Sequence, residues 1–453
     1  MRKKTNMTVG SPFKLLLFFT FPIICNYTVQ QFYSLADSAM VAAALGDDAV
    51  TGVNLTGSLS FLVLGFANGC SAGFGVLMAQ FVGAKNEDKM RKSLFTSVCL
   101  TVLISLLLTS IMLLFSRKIL ILLETNALYL DYADSYIKTI FSGIIFTMFY
   151  NLSSQFLLAM GDSRSPLYIL LICAALNVGL NSLMFVFETG VAWAGWATVI
   201  SQGVAAVVGF IVLFKKFPVL RLRKTDVSFS LRFAGKHLAV SLPMALQFSV
   251  TAIGCMIQQR AFNLFPPEYA KGQTTGSKIS SIVEGGLFNA FGSAVATYCG
   301  QNYGAKRWDR LKQGVFASVA VGGILVAAAT VTVFLIFPVL FPVLLPSVSQ
   351  DVYGFAFTYV SINASMYVFL MSIHIFRNAL QGIGRIVTST LGGIIELVAR
   401  AVCANTLATV SFECACFSNP MAWVSAGMFF AIVFGHYLKK GIASSGTLLT
   451  EKN

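Results

Sequence analysis

Apolar residues run along this chain in stretches longer than the about 20 residues that a helix needs to cross hydrocarbon, separated by short polar interruptions. The pattern predicts twelve spans, at residues 13–43, 53–82, 93–116, 131–159, 165–187, 191–214, 239–264, 275–302, 313–337, 352–380, 386–409 and 419–438. A membrane β-barrel would instead alternate apolar and polar residues in segments of about ten. The expectation is an all-α polytopic membrane protein.

The second half of the chain repeats the first. Pro22 recurs as Pro243, Gly65 as Gly286 and Asn68 as Asn289. Gln80, Gly83, Ala84, Lys85 and Asp88 recur as Gln301, Gly304, Ala305, Lys306 and Asp309, and Gly161 and Arg164 recur as Gly382 and Arg385, all at an offset of 221. Six spans per half give two copies in the same orientation, related by an axis along the membrane normal, the build of an alternating-access transporter with a central cleft. The predicted organisation is two pseudo-symmetric six-helix lobes, residues 1–214 and 238–453, joined by a basic cytoplasmic linker, 215–237. That linker carries an amphipathic stretch, Val227-Ser-Phe-Ser-Leu-Arg-Phe, suited to lying along the inner membrane surface. Pro22 and Pro243 are candidate helix kinks, since proline removes a backbone hydrogen bond.

Composition agrees: 56% of residues are hydrophobic and 11% charged, against about 25% charged in soluble domains, and mean hydropathy is +0.77. The net charge of +14 would suggest nucleic acid in a soluble protein. Here most Lys and Arg cluster in alternate loops, around Lys85–Lys92, Lys215–Lys236, Lys306–Lys312 and Lys439–Lys440. This is the positive-inside distribution with both termini cytoplasmic, and the linker's charge suits anionic lipid. Nucleic-acid binding is not expected. Arg2, Lys3 and Lys4 precede an apolar stretch too long for a cleavable signal, which reads as a retained first helix. The compact loops suit a bacterial cytoplasmic membrane and leave no room for a docking domain, so a monomer without an obligatory protein partner is expected.

Ionisable groups inside a span cost roughly 2.5–3.5 kcal/mol each on insertion scales, which singles out Asp37, Glu284, Glu396 and Arg400. Asp37 lies ten residues from Asp47 in the outer loop, about 15 Å deep at 1.5 Å per residue. Asn177 and Asn181 share one face of the fifth span, with Asn181 about 10 Å below Glu188, and Thr198 is similarly deep in the sixth. One carboxylate, two amides and a hydroxyl at one depth form a candidate site for a coupling cation or proton. A proton or a cation relieves the cost of an unpaired buried carboxylate, so two positive ligands can compete there, the chemistry of an antiporter. Asn and Thr also serve as interhelical hydrogen-bonding glue. In the second half the position of Asp37 holds Gln258. There Glu396 and Arg400, four residues apart, form either a structural ion pair or, with Glu284, a second polar locus. The 40 Phe and 14 Tyr suit flat or cationic organic ligands through apolar and cation–π contact, as well as ordinary packing.

Other chemistry finds little support. Gln80-Phe-Val-Gly-Ala-Lys and Gln301-Asn-Tyr-Gly-Ala-Lys lack the glycine spacing and Ser/Thr of a phosphate loop, and read as tight cytoplasmic turns. The nine cysteines fall mostly inside spans as small apolar residues; Cys414 and Cys416 have only Glu413 nearby, too little for a metal. His237, His374 and His436 have no ligand spacing, and no nucleophile–base constellation marks an enzyme. No cofactor is expected beyond a coupling H⁺ or Na⁺.

Tyr33-Ser-Leu-Ala-Asp37 with Pro22, the two Gly-Ala-Lys turns, Ala159-Met-Gly-Asp-Ser-Arg and Asn378-Ala-Leu-Gln-Gly-Ile-Gly-Arg together resemble the multidrug and toxic compound extrusion (MATE) transporters, over essentially the whole chain. The resemblance implies a twelve-helix, two-lobe fold and export of amphipathic, often cationic, organic compounds in exchange for entering Na⁺ or H⁺. It implies that Asp37 matches the first-helix carboxylate that binds the coupling ion, with Asn177 and Thr198 as its polar partners. Asn181 departs from the pattern, since many similar members carry Asp there. No second-half carboxylate matches the members with a second-lobe cation site; only Glu396 and Glu284 stand in. The alternative is a lipid-linked glycan or lipid flippase of similar fold, for which extra spans or a strongly cationic cleft would be the marks.

Overall fold

The computed structural model describes residues 6–123, 125–187, 189–345 and 350–450. Glu188, used above as a depth landmark, and the terminal Arg2, Lys3, Lys4 and Lys452 lie outside the described residues. Within them the chain is helical, without strands: α1 (Pro12–Leu45), α2 (Asp47–Leu55), α3 (Gly57–Gly83), α4 (Glu87–Leu122), α5 (Ala127–Ser142), α6 (Ile144–Ala159), α7 (Arg164–Asn181), α8 (Met184–Phe187) and α9 (Val191–Lys216). After two 3₁₀ turns follow α10 (Leu231–Phe262), α11 (Pro267–Gly304), α12 (Trp308–Leu344), α13 (Gln350–Ser365), α14 (Tyr367–Gly382), α15 (Ile386–Leu407), α16 (Phe412–Cys416) and α17 (Ser418–Thr450).

Ten spans pass the length and hydropathy requirement for crossing a membrane, and two bent pairs complete the predicted twelve. The bends are a departure from the straight fourth and tenth spans of the sequence reading: α5 and α6 meet at 51°, α13 and α14 at 49°. The first break falls at Ser142–Gly143, a pair that commonly kinks helices; the second, at Ser365–Met366, has no such marker.

These breaks also correct the repeat. Gly143 follows α5 as Met366 follows α13, an offset of 223 rather than 221. Farther along, Gly161 (φ 84°) has its conformational partner in Gly384 (φ 78°), not in Gly382, which ends α14. The backbone agrees: Asp162 N donates to Leu157 O at 2.9 Å, and Arg385 N to Leu380 O at 2.8 Å. α12 is one residue longer than α4, and the segment between α12 and α13 is one residue longer than that between α4 and α5, which together shift everything after them. Before that point 221 holds, since Lys85 (φ 53°) and Lys306 (φ 57°) both occupy the left-handed region. Asn86 N bonds Phe81 O at 3.1 Å and Arg307 N bonds Asn302 O at 2.9 Å. The Gly-Ala-Lys turns are therefore helix C-caps of the Schellman type, with Lys where glycine is usual at a cost of order 1–3 kcal/mol.

By contacts the chain divides into two compact units. One holds residues 25–249 and the other residues 5–24 with 250–453, apart from the first four residues. The division falls inside α1, two residues after Pro22, and inside α10, after Pro243; both helices run on through their prolines. In the first unit the segment before α10 is anchored to α4. Arg91 Nε donates to Asp226 Oδ2 at 2.9 Å and its Nη1 to Val219 O at 3.3 Å, with both charged side chains nearly inaccessible. Burial raises the Asp226 carboxyl, but the Arg223 backbone N–H and the Arg91 charge outweigh it and hold it below the ordinary value. In the second unit the segment before α1 is anchored in the matching way: Met7 N donates to Gln301 Oε1 at 3.0 Å, and Asn302 Nδ2 and Arg310 Nη2 both donate to Met7 O.

Small residues let the central helices approach closely. In α3, a Cβ on Gly69 would stand 2.6 Å from Ala245 Cα, and one on Gly73 2.5 Å from Ser241 Cα, so α3 and the first half of α10 meet backbone to backbone, as small-xxx-small faces do in membranes. More than half of the most apolar windows of α3 and α11 is buried (56% each), against 28% in α4 and α12, whose exposed Leu, Ile and Phe face where lipid tails would lie.

Candidate functional site

In the first unit the four residues singled out by depth form one hydrogen-bonded chain. Asn181 Nδ2 donates to Asp37 Oδ1 at 2.5 Å and to Asn177 Oδ1 at 2.9 Å. Asn177 Nδ2 donates to Thr198 Oγ1 at 3.1 Å, which also accepts from the Tyr33 hydroxyl at 3.3 Å. Helices α1, α7 and α9 thus contribute one network. Asp37 is 8% exposed and both Asn residues are fully buried. The Asn181 carbonyl oxygen is buried with no partner, at a cost of about 1–3 kcal/mol that a cation or a donor would repay. Tyr136 of α5 lies close enough to sense the charge on Asp37. Tyr33 and Tyr136 were missed by the sequence reading, which treated single aromatics as packing; Tyr33, one turn before Asp37, carried the signal.

The second unit holds a different cluster. Arg400 Nη2 donates to Glu396 Oε1 at 2.6 Å, one turn apart on α15. Arg400 is 4% exposed, and its Nε is buried with no partner. Gly254 of α10 leaves room for the guanidinium, because a Cβ there would stand 2.9 Å from Nη1. Glu284 lies mid-way along α11, which begins at Pro267 rather than near 275, and it is within electrostatic reach of Arg400. Arg377 of α14, which the sequence pattern did not single out, senses the charge on Glu396. The buried Tyr367 hydroxyl lies beside Glu284. Gln258 stands apart, bonding Ser418 Oγ at 2.8 Å. All nine cysteines are free, and among the described residues no His, Cys, Asp or Glu grouping could hold a metal.

With these geometries established, the comparisons decide the family. The MatE family pattern matches residues 22–183 and again 243–406. The chain belongs to the MatE family. The two matches begin 221 residues apart and end 223 apart, which agrees with the shift seen in the structure. The probable multidrug resistance protein YoeA of Bacillus subtilis is similar, 28% identical over 338 residues, 72% of either chain. The probable multidrug resistance protein NorM of Thermotoga maritima is 27% identical over 288 residues, 62% of this chain and 61% of that one. The FAD transporter of Shewanella oneidensis is 22% identical over 312 residues, 68% of each. Among solved structures, an outward-facing multidrug resistance MATE transporter superposes with a TM-score of 0.88 at 18% identity, over 98% of this chain and 99% of that one. A MOP superfamily transporter from Pyrococcus furiosus gives 0.90, also at 18%, over 97% and 99%. The protein is a multi-pass membrane transporter of the MATE family of multidrug efflux proteins.

Proposed function

We propose that this protein is a secondary active antiporter that exports small amphipathic, often cationic, organic compounds by alternating access, driven by entry of H⁺ or Na⁺ at Asp37. The observation that carries the reading is the Asp37–Asn181–Asn177–Thr198–Tyr33 network: one buried carboxylate, held by a single amide N–H, beside an amide oxygen with nothing to accept. The carboxylate supplies one negative charge, enough to take a proton. Sodium would need the neutral oxygens as well, and those of Asn181, Asn177, Thr198 and Tyr33 stand within one hydrogen-bonded chain. Either ligand neutralises Asp37 and weakens its hold on Asn181, so occupancy is transmitted from α1 to α7 and α9.

The family match and the relatives named for multidrug resistance support export over the flippase alternative, which no observation favours. They leave drugs and metabolites equally open as cargo, and one relative is named for FAD. We place the protein in the bacterial cytoplasmic membrane with both termini inside, working as a monomer without enzymatic chemistry or a bound cofactor. The test is uptake of rhodamine 6G, a fluorescent organic cation, into proteoliposomes under an imposed pH or Na⁺ gradient. Movement of the dye against its own gradient is expected with one of the two, which names the ion. Indifference to both gradients sinks the antiporter reading.

A further inference from the structure

With the repeat register set at 223 beyond the α12–α13 junction, the two halves can be compared position by position. Asn177, in the Asp37 network, corresponds to Arg400, and Cys173 to Glu396. Asp37, ahead of the shift, corresponds to Gln258. Tyr136 corresponds to Tyr359, and each flanks its own locus: Tyr136 senses Asp37, and Tyr359 senses Arg400. The second half therefore keeps the place and sets a cation in it, paired with Glu396. Where the first half has Asn177 and Cys173, the second has the guanidinium of Arg400 and the carboxylate of Glu396, while the position of Asp37 holds the neutral Gln258.

We infer that the Arg400 locus is an anion-accepting subsite, which takes an oxyanion group (carboxylate, sulfonate or phosphate) of an amphipathic organic substrate. A guanidinium presents five N–H donors in a rigid fork matched to such groups. Glu396 takes one of them, through Nη2, and Nε is left buried with no acceptor. Arg377, within electrostatic reach of Glu396, adds a second positive charge, so that two guanidiniums stand with the two carboxylates of Glu284 and Glu396. An incoming oxyanion thus meets a cluster whose charges are already matched, with an unused donor rather than unused charge. The inference rests on the exporter reading and deepens it: the cargo includes compounds bearing an anionic group, with Asp37 kept for the coupling ion.

The alternative is a purely structural ion pair, and one set of variants separates the two. Binding of carboxyfluorescein and of rhodamine 6G to the full-length protein in nanodiscs is measured for wild type, Arg400→Gln, Glu396→Gln and the double variant Arg400→Gln/Glu396→Gln, with a melting curve for each. Wild type is expected to bind both dyes. Arg400→Gln should weaken carboxyfluorescein by about tenfold or more, the range for one charged hydrogen bond lost, and should also melt early because Glu396 is left unpaired. Glu396→Gln should tighten it by freeing the fork. The double variant should regain the melting temperature without regaining the anionic dye. Carboxyfluorescein binding by the double variant at wild-type strength would overturn the inference, and so would wild type that binds rhodamine 6G alone, with the exporter reading intact. Failure to bind either dye would count against both readings.

Discussion

Replacing Asn181 by Asp tests the geometry of the ion site most sharply, because it alters a single group already in contact with Asp37. In the wild type the Asn181 amide donates to Asp37 at 2.5 Å and to Asn177 at 2.9 Å. Asn181→Asp removes both donated bonds and sets a second carboxylate against the first. Two unit charges about 4 Å apart, at an effective dielectric constant of about 20, repel by about 4 kcal/mol. That is roughly three decades in an equilibrium constant, and a proton or Na⁺ shared between the carboxylates removes it. The variant should therefore be less stable than wild type in potassium salts and should recover in sodium. The difference should grow with pH, as fewer protons compete for the site. Melting followed by tryptophan fluorescence in detergent, in NaCl against KCl at fixed ionic strength, reads this directly. In proteoliposomes the same variant should respond more strongly to a Na⁺ gradient. If Asn181→Asp is as stable as wild type and melts identically in the two salts, residue 181 does not face Asp37 and the proposed site is wrong.

Three further outcomes follow from the packing. Arg91→Met leaves Asp226 buried without its partner and should cost about 3–5 kcal/mol, with most of the loss recovered by Arg91→Met/Asp226→Asn; thermal melting measures both. The Asp226 carboxyl is held below its unfolded value, so the stability it contributes is present above about pH 4 and is lost as the pH falls through the lower folded value. Asp226→Asn should flatten that part of the acid-induced fall in melting temperature. Gly73→Val forces α3 away from Ser241, where even a Cβ would stand 2.5 Å from Cα, and should cost about 1–3 kcal/mol or more, as overpacking does; wild-type melting would contradict the close approach of α3 and α10.

Much of this molecule was legible in its sequence, for physical reasons that can be named. The bilayer forces long apolar helices, so twelve spans could be read from hydropathy alone. The cost of a buried charge drew attention to Asp37, and a common depth gathered Asn177, Asn181 and Thr198, which the structure joins by hydrogen bonds. What escaped was local or long-range. The bend at Ser365–Met366 has no proline or glycine to announce it. The two-residue shift in the repeat hid behind Gly382, an incidental glycine two residues before the conformational partner of Gly161. Arg377 drew no attention in the sequence, whereas the fold brings it within electrostatic reach of Glu396. The Arg91–Asp226 pair spans 135 residues, and no local pattern encodes such a partnership. The amphipathic linker segment was read as one surface element, but α10 begins within it at Leu231, leaving Val227, Phe229 and Leu231 exposed.

The central claim is that Asp37 binds the coupling ion, and Asp37→Asn tests it when transport is measured in two modes on the same proteoliposomes. One mode is rhodamine 6G accumulation driven by the active ion gradient; the other is exchange of the dye across the membrane with no ion gradient imposed. The account predicts that the folded variant loses gradient-driven accumulation and retains exchange, because the carboxylate couples the ion without being needed to carry the dye. Gradient-driven accumulation at the wild-type rate would contradict it.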